Sequence, residues 1–339
     1  MMRTLLALAL FTIILSCNDD DREIPDVSDI KVDVPVERFD QSFFTMDTID
    51  IAASLRGLKT KHAGFYLDFM QQILGVDGSD SSNTTRVVTR EFIRGYKPIY
   101  DSLQRTYAKV DEVVEDLEDQ LRYVKHYFPN YKTGKAIFFL GPFDAPGIAS
   151  TNEGLAIGLQ QYAGSNFTVY QAGPIQEMFP TYISRRFSEE YIVPNAMKAV
   201  IGDLFPDRSG GKPLLEQMVE KGKEWWVLDK FMPKTHDTLK TGYTARQLEW
   251  CKENEGLIWS YLVKNEDLNS INPVIIQTYI GEGPFTQGFS QENSPGNLGQ
   301  WIGWRIILKY EEKNPGLSIE EIMRKPASEI INGARYKPR

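Results

Sequence analysis

Residues 111–140, DEVVEDLEDQLRYVKHYFPNYKTGKAIFFL, hold both kinds of secondary structure that build this chain. In the first part Val113, Val114, Leu117, Leu121, Val124 and Phe128 recur at spacings of three and four, with Asp and Glu between them. That is the stripe of an amphipathic helix, and its carboxylates form a solvated face. After a Thr133-Gly134 turn the period changes. Ala136-Ile137-Phe138-Phe139-Leu140 is a short apolar run bounded by glycine on both sides, which reads as a buried strand. A second such run, Gly154-Leu155-Ala156-Ile157-Gly158-Leu159, follows closely.

Upstream, Ile30 to Asp40 alternates apolar with polar residues, the period of a half-buried strand, and Pro35 places it at a sheet edge or a bulge. Elsewhere the helical period dominates. Helices are expected at 41–57, 61–75, 86–108, 176–186, 189–204, 211–231, 244–265 and 296–313. Thr244 and Gln247 have capping-box spacing, and Leu248, Cys251, Ile258 and Leu262 fall on one face behind them, which places Cys251 in the core. Ser294-Pro295 reads as the start of the last long helix and Asn314-Pro315 as its end. The six tryptophans, at 225, 226, 250, 259, 301 and 304, all fall in expected helices. The fold class is therefore α+β, mostly helical with a small mixed sheet, and residues 31–339 read as one globular domain.

The N-terminus has a different architecture. Met1-Met2-Arg3 precedes an apolar run from Thr4 to Leu15, and Asn18-Asp19-Asp20-Asp21 follows it. A run of about a dozen residues is shorter than the ~20 a bilayer span needs, and it ends in the small Ser16, so residues 1–16 read as a cleaved export signal. Ile14-Leu15-Ser16-Cys17 resembles the lipobox of bacterial lipoproteins, which implies acylation of Cys17, as with palmitate, after cleavage before it. Each buried methylene contributes about 0.8 kcal/mol, so several acyl chains anchor a globular body without a transmembrane helix. Residues 17–30, charged and Pro-containing, read as a flexible tether behind that anchor.

Composition restricts the partners. The 339 residues are 42% hydrophobic with a formal net charge of −8, and the sequence pI is 5.2. An acidic body repels nucleic acid and anionic headgroups, so neither is expected as a ligand. With Cys17 acylated, Cys251 has no disulfide partner. His62, His126 and His236 are the only histidines, and none has a second ligand at metal-site spacing. Gly-x-Ser-x-Gly, phosphate-loop and dinucleotide motifs are absent, with Gly210-Gly211-Lys212-Pro213 reading as a plain turn. No catalytic residue, metal or cofactor is assigned. Glu216, Glu220, Glu224 and Asp229 alternate with Lys221, Lys223 and Lys230 at helical spacing, the pattern of a solvated face. The Gly-rich segment Gly281 to Phe289 is the other candidate, and Gly283, Pro284, Phe285 and Gly288 form an expected partner loop ahead of the Trp301/Trp304 helix.

Val36-Glu37-Arg38-Phe39-Asp40, Phe179 to Ile183, Tyr191 to Asn195, Gly242-Tyr243-Thr244, Glu249-Trp250-Cys251, Asn254-Glu255, Pro284-Phe285-Thr286 and Ser294 to Gly299, in this order behind a lipobox, resemble the gliding-motility lipoprotein GldB family of Bacteroidetes. The resemblance covers nearly the whole mature chain. It implies a cell-envelope protein, lipid-anchored to a membrane, that serves gliding motility beside gliding or secretion machinery proteins and has no established enzymatic activity. The order of strands and helices is also distantly similar to zincin-like metallopeptidases, whose helices carry His-Glu-x-x-His and Glu-Gly. Here Ile192 to Ala199 has no histidine and Lys221 precedes Gly222. That likeness implies a degenerate cleft around Asn195, Glu220 and Lys221 whose metal site is gone. The competing expectation is a hydrolase drawing an acid/base pair from Glu190, Glu220 or Glu224.

Overall fold

The computed structural model describes residues 24–338, so the expected export signal and the expected acylation site Cys17 lie outside the described residues. Of the expected tether, residues 24–30 are described and contain only a turn, in which Asp26 accepts the Ser28 N–H at 2.9 Å.

The strand expected over 30–40 narrows to β1, Val36–Arg38, because Phe39 turns inward to open helix α1, Phe39–Phe44. Helix α2, Ile51–Lys61, and α3, Tyr66–Asp68, follow, and α3 runs into a π turn at Phe69–Ile73. The expected helices 41–57 and 61–75 are thus broken near residue 45 and at His62, where Phe39, Phe43, Phe65 and Phe69 meet as one aromatic cluster. Helix α4, Asn83–Tyr107, starts at a Ser82 cap and carries Pro98 internally. Helix α5, Asp111–Tyr127, buries the stripe its sequence laid out.

The sheet is small and mixed. Strand β2, Lys135–Phe139, lies parallel to both β1 and β4, Gly154–Gly158, while β3, Ile148–Thr151, pairs antiparallel with β4. Their order is β1-β2-β4-β3. β1 occupies an edge, as Pro35 implied. β3 occupies the other; it has no apolar alternation and was not foreseen. Central β2 and β4 are buried on both faces, which explains their unbroken apolar reading.

Short helices α6, Gly173–Met178, and α7, Thr181–Ser184, replace the expected 176–186, interrupted by Pro180. Helix α8, Ile192–Leu204, packs on β3 and β4, and α9, Leu214–Phe231, packs against α8. Beyond α10, Asp237–Thr241, the expected helix 244–265 divides at Asn254 into α11, Ala245–Glu253, and α12, Glu255–Asn265. The Thr244/Gln247 capping box is present. Helix α13, Pro273–Ile280, precedes α14, Leu298–Lys313, and α15, Ile319–Arg324, and α16, Ala327–Ala334, close the chain.

The main core draws on residues from Val34 to Ala334, and a smaller separate cluster gathers Phe143, Tyr170 and Phe187. The densest crossing in the main core is α9 on α14. Glycine makes that approach possible: a Cβ at Gly303 would stand 1.7 Å from the Met218 carbonyl oxygen, and one at Gly222 would stand 2.2 Å from the Trp304 nitrogen. With α8, α14 and α16 around it, α9 is buried on most sides, and Lys223 and Asp229 are interior residues. The solvated face read from its charges is therefore corrected. Periodicity reports alternation of charge, and here the charges find partners inside the protein. Trp225, Trp226, Trp301 and Trp304 are buried, Trp250 and Trp259 partly so, and Cys251 is fully enclosed, where burial pushes its thiol pKa up.

Candidate functional site

The degenerate cleft expected at Asn195, Glu220 and Lys221 is divided in the structure. Glu220 and Lys221 line a cavity of 270 Å³ between the C-terminal end of α8, helix α9 and the end of α15 at Met323 and Arg324, joined by Asp207, Arg208 and Glu224. Asn195 faces elsewhere and donates from Nδ2 to the Tyr162 hydroxyl at 3.1 Å.

Within this cavity Glu220, Lys223, Lys221 and Asp207 are held in ion pairs. Glu220 accepts from Lys212 Nζ at 2.6 Å on Oε1 and from Lys223 Nζ at 2.9 Å on Oε2. Lys223, with its side chain 2% exposed, also donates to the Met323 and Lys325 carbonyls at 3.2 and 2.8 Å. Burial depresses the Lys223 pKa, and the Glu220 carboxylate opposes that. Lys221 donates to Asp207 Oδ2 at 2.6 Å. Desolvation would raise the Asp207 pKa, but hydrogen bonds from Lys221 and Ser209 outweigh it and hold the carboxyl below its ordinary value. Glu224 accepts from Gln300 Nε2 at 3.5 Å.

The Gly-rich segment is likewise divided. Gly283 and Pro284 line a second cavity, of 280 Å³, with Arg185, Arg186, Tyr243 and Glu282. Phe285 is half-buried and Gly288 exposed, and neither lines it. Arg186 grips Glu282 in a bidentate pair, both contacts 3.1 Å, tying the end of α7 to the loop. Arg185 donates to the Gly242 carbonyl at 2.7 Å, and burial, reinforced by neighbouring Arg186, lowers its pKa. Ser294 and Pro295 do not open α14. The buried Thr286 hydroxyl donates to the Pro295 carbonyl at 2.8 Å and accepts the Leu298 N–H at 3.4 Å, so helix geometry begins only at Leu298, after a left-handed Asn297. The start of this helix is closed by the loop's own threonine.

Lys198, on α8, lines neither of these two cavities. It is half-buried, and desolvation lowers its pKa while Glu224 pulls the other way; Arg186 and Glu282 also act on it. Sequence reasoning missed Lys198, Arg186 and Glu282. One signal was available, the only charged residue in the mostly apolar stretch Ile192 to Ile201. Nothing local marks Arg186 and Glu282, which are 96 residues apart.

Glu190 belongs to a third cavity, of 770 Å³, with Glu112, Asp116 and Glu189. Burial first, then Glu112 and Asp116, raises the Glu189 pKa. The carboxylates offered as an acid/base set are thus split: Glu220 and Glu224 share one cavity and Glu190 lies in another. His62 Nδ1 sits 2.8 Å from Glu37 Oε1, and His236 caps α10 by accepting the Thr238 N–H. Among the described residues no group of three or more His, Cys, Asp or Glu side chains could hold a metal ion, and no helix is long and apolar enough to cross a membrane.

The family model of the gliding motility protein GldB, designated a lipoprotein family, matches residues 20–338. No curated protein and no solved structure shows a significant similarity to the chain, so the zincin-like likeness has no structural relative behind it. Nearly the whole chain is covered by one family model over the same motifs that carried the resemblance, and the protein belongs to the GldB gliding-motility family.

Proposed function

We propose that this chain serves gliding motility as a non-catalytic, protein-binding component of the cell envelope, lipid-anchored through Cys17. Family membership supplies the process. The observation that carries the non-catalytic reading is how the cleft charges are spent: both oxygens of Glu220 are occupied by lysines, and Lys221 is committed to Asp207. A general acid or base needs a proton position open to substrate. Here those positions are closed by ammonium groups that also stitch α9 to its neighbours. The partners proposed are proteins of the gliding or secretion machinery.

Complementation of a strain lacking the gene tests this. Glu190→Gln and Glu224→Gln, which remove the two other offered carboxylates, should restore colony spreading to the wild-type level. Crosslinking in those cells should recover motility components with either variant. A non-spreading Glu224→Gln strain whose protein accumulates normally and still crosslinks to its partners would replace this reading with a hydrolytic one.

A further inference from the structure

The two edges of the sheet are finished differently. Beside β1, the Val34 N–H is closed by Glu118 Oε1 at 2.8 Å, and Glu37 on the strand itself is held by His62 and Lys135. Strand β3, Ile-Ala-Ser-Thr, carries no charge and no proline to guard its outer side. The phase of its ladder follows from Gly158, whose N–H donates to the Gly147 carbonyl at 2.8 Å. In an antiparallel pair alternate residues bond the partner strand, so Ala149 and Thr151 face β4 while Ile148 and Ser150 turn their N–H and C=O outward. Among the described residues nothing pairs with those outward groups. Ser150 is exposed.

That open edge borders a cavity of 480 Å³. Its floor is apolar, with Phe65, Phe139 and Ala156, and its two charged side chains are Asp68 and Asp203, with no cation among the lining residues. Backbone groups in search of a strand, an apolar floor for alternate side chains and unneutralised carboxylates describe one kind of occupant. We propose that β3 docks an extended segment of a partner protein, added as a fifth strand, with lysine or arginine side chains directed to Asp68 and Asp203. This rests on the protein-binding reading above and names the surface and the chemistry of the partner.

The test uses the full mature chain in detergent and a defined probe, an acetylated and amidated heptapeptide alternating valine with lysine. The peptide should shift the amide resonances of Ile148 and Ser150 and slow their hydrogen exchange. A peptide with glutamate for lysine should not, and neither should the lysine peptide N-methylated along its pairing edge. Ser150→Pro, which removes an outward donor, should abolish binding, and Asp68→Asn with Asp203→Asn should weaken it and flatten its salt dependence. Should Ser150→Pro disturb the fold, the N-methylated peptide on the unaltered chain decides the same point. No shift at millimolar peptide, shifts away from β3, or binding indifferent to N-methylation would overturn the proposal. In each of those cases intact spreading by the Glu190 and Glu224 variants would leave the protein-binding reading standing, with its surface elsewhere.

Discussion

Lys223 is the clearest case of a residue whose role depends on its surroundings. An interior ammonium is tolerated because Glu220 and two carbonyls take its three protons, and removing one member of such a set leaves an uncompensated buried charge. Glu220→Gln should therefore lower the unfolding free energy by about 3 kcal/mol. The Glu220→Gln, Lys223→Met double variant should be less destabilised than the two singles together, with a coupling of about 2 kcal/mol in a urea-unfolding cycle. Additive single effects would mean that the pair is not the unit of stability. Lys212, the other partner of Glu220, is about a third exposed and can return to water, so it should contribute little to that coupling.

At the scale of elements, the crossing of α9 and α14 organises the C-terminal half. Interior or half-buried contacts hold it, among them Trp226 Nε1 to Glu311 at 2.8 Å, Lys230 to Glu311 at 2.6 Å, Trp304 Nε1 to Asp229 at 2.9 Å and Gln300 to the Lys221 carbonyl at 3.1 Å. All require the helix backbones to come close, which Gly222 and Gly303 permit. The atoms that a new Cβ at either glycine would strike belong to the opposing backbone, so neither helix can yield by turning a side chain. Gly303→Ala should cost about 2–3 kcal/mol, at the upper end for one inserted methyl group. A control at Gly202, where an added Cβ meets nothing within 4 Å, should leave the urea midpoint unchanged or raise it. Equal effects at the two glycines would sink this account. Gly222, which motif order had placed beside a lost metal site, is explained by that packing.

For the whole molecule, the proposed anchor and the described body are separable. A body with its own core does not need the lipid to fold, so Cys17→Ser should move intact protein out of the detergent-rich phase in a Triton X-114 partition, without lowering its melting temperature. Retention in the detergent phase would refute acylation at Cys17. The legibility of the chain follows the range of the interactions. Local sequence determined the α+β class, the α5 stripe, the strands β2 and β4, the Thr244/Gln247 box and the interior place of Cys251, because each depends on neighbours within a few residues or on a strong period. Tertiary structure alone decided that β3 forms, since only pairing with β4 makes Ile148–Thr151 a strand, and that α9 is interior, since charge alternation looks the same whether lysines meet water or Glu220. It also separated Asn195 from Glu220, and Gly283 and Pro284 from Phe285 and Gly288. Residues adjacent in a motif share a segment, but a cavity is assembled from side chains aimed at one point, and the aim is set by packing partners as distant in the chain as Arg186 and Glu282.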